Sequence, residues 1–287
     1  MRKKSFLLLL AAGLFVLSAC SDQSMESERT DNSARKWNDI QKAGEIVVGT
    51  SGTLIAGSYY EDNDESKDAL TGYEVEVARE VAKRLDLDIK FEIIGFDSVL
   101  AAVDSGRIDV AGMGITDKRK EKFNFSEPFK YSYTTMVVRE DTHSGIEKLE
   151  DLEGKEAGGA SSTIYSEIAR KFGAEVVTYG NAPNEAYLRD VNNGRTDVVI
   201  NDYYLSKFGV AAFPDFDITL HPDLKFHTTR KGLIMADDAD RLQEKINQTL
   251  QSMREDGTLT QLAKKFYKED ASKKPEGDIR DIKGLDF

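Results

Sequence analysis

The chain has 287 residues, with 39 Lys and Arg against 51 Asp and Glu, a formal net charge of −12. An acidic balance of this size argues against a nucleic-acid partner, because a phosphate backbone demands a basic surface. One cysteine excludes an intrachain disulfide and a Cys-based zinc site; His143, His221 and His227 lack ligand spacing, so neither a metal nor a cofactor is expected.

The amino terminus opens with Arg2, Lys3 and Lys4, followed by the apolar run Phe6 to Leu17. Such a run spans about 18 Å as a helix, short of a hydrocarbon core of about 30 Å. Residues 1–19 therefore read as a signal peptide rather than a membrane span. Leu17-Ser18-Ala19-Cys20 looks like the lipobox of bacterial lipoproteins. That likeness implies lipidation of Cys20, with palmitate among the acyl chains, and a protein held on the extracellular face of the cell membrane by its lipid alone. Residues 20–36 are rich in Ser, Asp, Glu and Asn and read as a flexible tether.

The folded body then alternates strands and helices. Ile46 to Gly49 is a short buried strand, and Leu54 to Asp68 reads as a loop with an acidic, turn-rich insertion. From Tyr73 to Leu85, Val77, Ala78, Val81, Ala82 and Leu85 fall on one helical stripe. Ile89 to Ile94 is a second strand, Asp97 an expected N-cap for a helix through Val103, and Asp109 to Met113 a third strand. The second half repeats the scheme. Strands are expected at Ala157–Ala160, Glu175–Tyr179 and Asp197–Ile200, with helices at Thr163–Phe172, Asn184–Asn192 and from Tyr203. Two more helices, Ala239–Arg254 and Leu259–Tyr267, precede a polar tail, 271–287, with weak docking expected at Ile282 and Leu285. This alternation implies an α/β fold with βαβ units and a mostly parallel sheet.

One internal echo suggests two lobes of like topology. Ser105-Gly106-Arg107-Ile108-Asp109-Val110 is matched by Asn193-Gly194-Arg195-Thr196-Asp197-Val198. Ligands of open parallel sheets bind beyond the carboxyl ends of the strands. There, one repeat is followed by Gly112-Met113-Gly114 and Arg119, the other by Asn201-Asp202. A cation on one wall and an anion on the other suit a zwitterion: Arg119 can fork onto a carboxylate, and Asp202 can pair with an ammonium. The bland alternatives are a solvated charge run for Lys118-Arg119-Lys120 and an N-cap role for Asp202. Ser161, Ser162 and Thr163 follow a strand and open a helix, which offers an anion site as well as caps. Phe96, at a strand end, is the favoured aromatic contact.

These residues resemble a known family. Leu70-Thr71-Gly72-Tyr73-Glu74-Val75-Glu76-Val77 is similar to the L-x-G-[FY]-[DE]-V-[DE] signature of the amino-acid-binding proteins of ABC importers. Gly114 through Phe129 resembles their I-T-x-x-R-x-x-x-x-x-F-[ST]-x-P-[YF] segment, and Gly194-Arg195-x-Asp197, Asn201-Asp202 and Arg254-Glu255-Asp256-Gly257-Thr258-Leu259 match further landmarks. The resemblance implies a two-lobed periplasmic-binding-protein fold of type II, with two hinge strands near Tyr133–Val138 and Thr229–Leu233 and ligand between the lobes. Lobe 1 would comprise 37–136 and 231–270, and lobe 2 137–230. Arg119, Ser162 and Thr163 would then hold the ligand carboxylate, Asp202 its ammonium, and Phe96 its side chain. Gly112 and Gly114 would offer backbone groups, Gly114 departing from the hydroxyl residue found in many members. Within the family the likeness is strongest to the L-cystine-binding lipoproteins of Gram-positive bacteria, carried by Thr50 to Leu54, Tyr187 to Asp197 and Asn201 to Leu205.

The expected function is capture of an amino acid, most of all L-cystine or a related neutral one, for delivery to an ABC permease. Two alternatives stand beside it. One is a dehydratase-type enzyme on the same fold using Glu74 or Asp202 as acid; against it, there is no His or Cys pair and no metal set. The other is a sensory lipoprotein that binds amino acids without a permease.

Overall fold

Apolar runs bounded by glycine and acids become the strands, and the striped segments become the helices that cover them. The computed structural model describes residues 33–61, 69–180, 182–277 and 279–285. The expected signal peptide, Cys20 and all but the last residues of the expected tether lie outside the described residues, as does most of the acidic insertion. The tether ends earlier than its composition suggests. Helix α1 (residues 33–43) is already formed at Ser33, whose Oγ accepts the Arg241 amide at 2.6 Å, and Trp37 and Ile40 on it are buried.

In the first half β1 (Glu45–Thr50) is followed by β2 (Thr53–Leu54), β3 (Ser58–Tyr60) and β4 (Leu70–Thr71). These last three form a small antiparallel sheet, with β3 inside the expected loop, Leu54 to Asp68, and β2 and β4 at its two ends. Strands of two or three residues carry too little periodicity to be read from sequence. Helix α2 (Tyr73–Arg84) buries Val75, Val77, Ala78, Val81 and Ala82, with Glu74 and Glu76 in its first turn and Lys83 and Arg84 in its last, matching the helix dipole. Then come β5 (Asp88–Ile93), α3 (Val99–Asp104), β6 (Val110–Gly114), the single turn α4 (Asp117–Lys120) and β7 (Phe123–Phe125). Asp97 does not cap α3: it lies in a 3₁₀ turn over Phe96–Ser98, and Ser98 holds the N-cap position.

The long strand β8 (Lys130–Arg139) leads into the second half: β9 (Glu156–Gly158), α5 (Ile164–Lys171), β10 (Glu175–Val177), α6 (Asn184–Asn192), β11 (Val199–Asp202), α7 (Tyr203–Ala212) and β12 (Ile218–Leu220). The equally long β13 (Phe226–Ala236) returns to the first half, where α8 (Asp240–Glu255) and α9 (Thr258–Tyr267) pack beside α2.

One sheet runs through both lobes in the order β11-β8-β13-β6-β1-β5, with β12 added on β8 and β7 on β13. Its parallel part is confined to β1 with β5 and β6. The pairs β13–β6, β13–β8 and β11–β8 are antiparallel, so the sheet is mixed rather than mostly parallel. The cause is the two long strands, which carry the chain out and back and must therefore oppose each other. They pair from Lys130↔Lys231 to Thr134↔Phe226, overlapping the expected hinge strands only at 133–134 and 229–231.

The repeated hexapeptide is a repeated structure. Gly106 and Gly194 end their helices at φ +70° and +68°, a backbone region that glycine enters without steric cost. Asp109 then exchanges two bonds with the opening strand of its half: its amide donates to the Val47 carbonyl at 2.9 Å, and its Oδ2 accepts the Val47 amide at 2.8 Å. Asp197 does the same with Glu156, at 2.8 and 3.1 Å. The aspartate thus locks a parallel neighbour in register in each half.

Separate cores sit on either side of the hinge. The largest gathers Tyr73, Val81, Phe129, Leu250, Leu259 and Tyr267, and takes in Tyr204 from α7; a second gathers Met136, Ile146, Leu152, Ile168, Val198 and Ile200, and a smaller cluster lies in each half. Ile282 and Leu285 of the tail pack against the second, as expected.

Candidate functional site

Between the lobes lies a cleft of about 1790 Å³ bordered by the ends of β1, β6 and β11, by the start of α5, and by both hinge strands. Its charges come from elements far apart in sequence, brought together by the sheet order.

Arg119 stands on α4, directly beyond β6. The Thr116 hydroxyl accepts the Arg119 amide at 3.3 Å and starts this turn. Lys118 and Lys120 are exposed, whereas Arg119 turns inward and is half-buried. Its Nη1 donates to the Gly114 carbonyl at 2.8 Å and its Nη2 to the Ser162 carbonyl, from the other lobe, at 2.9 Å. The Phe96 ring lies 5.9 Å from the guanidinium carbon, within reach of a cation–π contact. Both hydrogen-bond partners are neutral carbonyls, and among the described residues Arg119 makes no ion pair. Burial pulls its pKa below the ordinary value, with the Tyr165 phenol opposing.

Asp202 ends β11 and caps α7: its Oδ1 accepts the Leu205 amide at 3.1 Å. The same oxygen accepts the Lys130 ammonium at 3.0 Å. Burial pushes the Asp202 carboxyl up, but the Lys130 charge and hydrogen bond, aided by Lys231 and the Leu205 amide, hold it below the ordinary value. Both bonds fall on Oδ1 and neither uses Oδ2. Lys130 in turn rests over the Tyr267 and Tyr204 rings, at 5.0 and 5.6 Å. The carboxylate expected to meet a ligand ammonium therefore already carries an internal cation.

A second carboxylate, Glu74 at the start of α2, also borders the cleft. Its Oε1 accepts the Lys231 ammonium from β13 at 2.6 Å. A Cβ on Gly112 would sit 3.0 Å from Glu74 Oε2, and a Cβ on Gly114 3.5 Å from Arg119 Nη1. The two glycines leave β6 bare so that charged side chains can lie against it.

Tyr165 enters the cleft from α5. Burial raises its phenol well above the ordinary value, with Asp202 and Glu74 adding to the rise and Arg119 opposing it. It thus lies within electrostatic reach of all three charges. Of the residues that open α5, Thr163 is the N-cap, its Oγ1 accepting the Ser166 amide at 3.1 Å. The Ser162 amide and hydroxyl both donate to Asp97 Oδ1 across the lobes, at 3.0 and 2.5 Å.

The structure brings Arg119, Asp202, Phe96, Gly112, Gly114 and Thr163 to one cleft, with Ser162 at its rim. Sequence reasoning missed Lys130, Lys231 and Tyr165, and weighed Glu74 only as an acid. Among the described residues no helix is long and apolar enough to cross a membrane, and no group of three or more His, Cys, Asp or Glu could hold a metal.

Comparison with known proteins agrees with this architecture. Residues 46–269 match the family model "Bacterial extracellular solute-binding proteins, family 3". The probable ABC transporter extracellular-binding protein YckB of Bacillus subtilis is 48% identical over 274 residues, covering 94% of each chain. The L-cystine-binding protein TcyA of the same organism is 32% identical over 281 residues, covering 95% of this chain and 100% of its own. The crystal structure of YckB superposes with a TM-score of 0.68 at 52% identity, covering 86% of this chain and 99% of that one. The two-lobed α/β fold, the interlobe cleft and this match over most of the chain make the protein a member of family 3 of the bacterial extracellular solute-binding proteins.

Proposed function

We propose that the protein is an amino-acid-binding lipoprotein of an ABC importer, held at the extracellular face of the membrane through lipidated Cys20, and that its principal ligand is L-cystine. The observation that carries this reading is Arg119: a partly desolvated cation in an interlobe cleft, hydrogen-bonded through its guanidinium to two neutral carbonyls and, among the described residues, without a carboxylate partner. An anionic group brought by a ligand would complete it, and the α-carboxylate of an amino acid fits its fork. The ammonium would be received by the carboxylates opposite, Asp202 through its Oδ2 and Glu74 beside Gly112. Phe96 and Tyr165 would pack on the ligand, and Thr163 would close over it from the second lobe. In this reading lobe 1 is 37–136 with 231–270 and lobe 2 is 137–230. Closure on ligand would create the form that a permease recognises.

L-Cystine is favoured by the similarity to TcyA and by the chain's own chemistry. Cys20 is the sole cysteine, so no protein thiol near the cleft could exchange with a ligand disulfide. The dehydratase alternative is disfavoured: Glu74 and Asp202 are each paired with a lysine, and Asp202 is held ionised below the usual carboxylate range, the reverse of what a general acid needs. A thermal-shift screen over the amino acids tests the reading. L-Cystine is expected to give the largest rise in Tm, since a ligand at a hundred times its Kd stabilises by about 2.7 kcal/mol. A flat response to every amino acid would reject it.

A further inference from the structure

Hydrogen bonds at the rim of the cleft tie the two lobes to each other. Asp97 follows Phe96 on the first lobe, and across from it stands the Ser161-Ser162 turn that opens α5. Three donors of that turn converge on the one carboxylate: the Ser161 amide at 3.3 Å, the Ser162 amide at 3.0 Å and the Ser162 hydroxyl at 2.5 Å. Ser162 is also gripped from its other side, its carbonyl accepting from Arg119. Backbone amides ahead of a helix are suited to an anion, and here the protein's own carboxylate fills that place. Asp97, Ser161 and Ser162 are all exposed, so these bonds form the outer edge of the cleft rather than part of its floor. Nor does Asp97 have a local task that would explain it, since Ser98 holds the N-cap position of α3 and no side-chain bond caps that helix.

We propose that Asp97 is a positioning residue for closure: a latch, independent of ligand, that ties the Phe96 edge of lobe 1 to the Ser161-Ser162 turn of lobe 2 and adds its binding energy to the closed form. This rests on the reading of the cleft as the ligand site for its second consequence only, namely tighter binding through slower release. Interactions made only in the closed state favour that state whether or not a ligand is inside, and a ligand that needs closure then binds more tightly.

Spin-label distance measurement tests the latch directly. Full-length chain carrying Cys20→Ser is labelled at two exposed positions, Asp104→Cys on α3 and Glu175→Cys on β10, and measured without ligand. Asp97→Ala is expected to shift the distance distribution toward longer separations, with Asp97→Asn between it and the parent. Ser162→Ala, which removes one exposed hydroxyl and no core contact, should shift it in the same direction and serves if the Asp97 variants fail to fold. L-Cystine should restore the short distances in Asp97→Ala while binding about tenfold more weakly, mainly through faster dissociation, as expected for loss of charge-assisted hydrogen bonds. Distributions identical to the parent in all three variants would overturn the proposal. Because the distances are read without ligand, a failure of L-cystine to bind would reject the ligand reading and leave the latch standing.

Discussion

Lys130 and Asp202 form an ion pair at 3.0 Å with side chains only 5% and 9% exposed, where the hinge strand β8 meets the end of β11. Two charges removed from water are stable only as a pair, and loss of one partner leaves the other buried and uncompensated. Lys130→Met should therefore destabilise the fold by about 3–5 kcal/mol, measured by urea unfolding. The sign of the pH effect follows from the depressed Asp202 pKa. Its contribution is fully present above the unfolded value of about 3.9 and is lost as pH falls through the lower folded value. In Lys130→Met, acid unfolding should begin at higher pH than in the parent. Coincident acid-unfolding curves would show that the pair carries no such energy.

The two cleft glycines should respond differently to the same small addition. Gly112→Ala places a methyl 3.0 Å from Glu74 Oε2 and should push that carboxylate off Lys231, a steric cost of about 1–3 kcal/mol with weaker ligand binding. Gly114→Ala meets Arg119 only at ordinary contact distance, 3.5 Å, and should be tolerated in both respects. Thermal melts and calorimetric titrations of the two variants decide the matter; equal tolerance would mean Glu74 is free to move.

The carboxyl-terminal tail crosses from the first core to the second. The Tyr131 amide donates to the Ala271 carbonyl at 2.8 Å, the His227 amide to the Arg280 carbonyl at 2.9 Å, and the Thr228 amide to Asp281 Oδ1 at 3.0 Å. Lys171 on α5 donates to the Gly284 carbonyl at 2.8 Å. Deletion of residues 279–287 should cost about 2 kcal/mol, the scale of burying an apolar side chain such as Ile282 or Leu285. Hydrogen exchange should then accelerate at His227 and Thr228 while β1 keeps its protection. Unchanged exchange at those two amides would contradict the strap-like role.

The legible parts of this protein were those with local signatures. Gly106-Arg107 and Gly194-Arg195 announced two like halves, and the paired Asp109 and Asp197 bonds explain why that hexapeptide recurs. Arg119 was legible because Thr116 and the end of β6 fix its place. What stayed hidden was long-range. Lys130 finds Asp202 across 72 residues, Lys231 finds Glu74 across 157, and Asp97 finds Ser162 across 65; no spacing rule reaches so far. Capping is a local pattern and points Asp97 to the nearest helix, whereas its carboxylate bonds to the opposite lobe. The antiparallel hinge was hidden because a buried apolar run does not disclose the direction of its neighbour.

In the proposed function, Arg119 is the cation that a ligand carboxylate completes. Isothermal titration of L-cystine into the parent chain and into Arg119→Ala tests it most directly. The parent should bind with measurable heat, and Arg119→Ala should lose about 2–5 kcal/mol of binding energy, the cost of leaving the ligand's carboxylate desolvated and unpaired. Equal affinity in the two proteins, or no binding of L-cystine or any other amino acid to the parent, would contradict it.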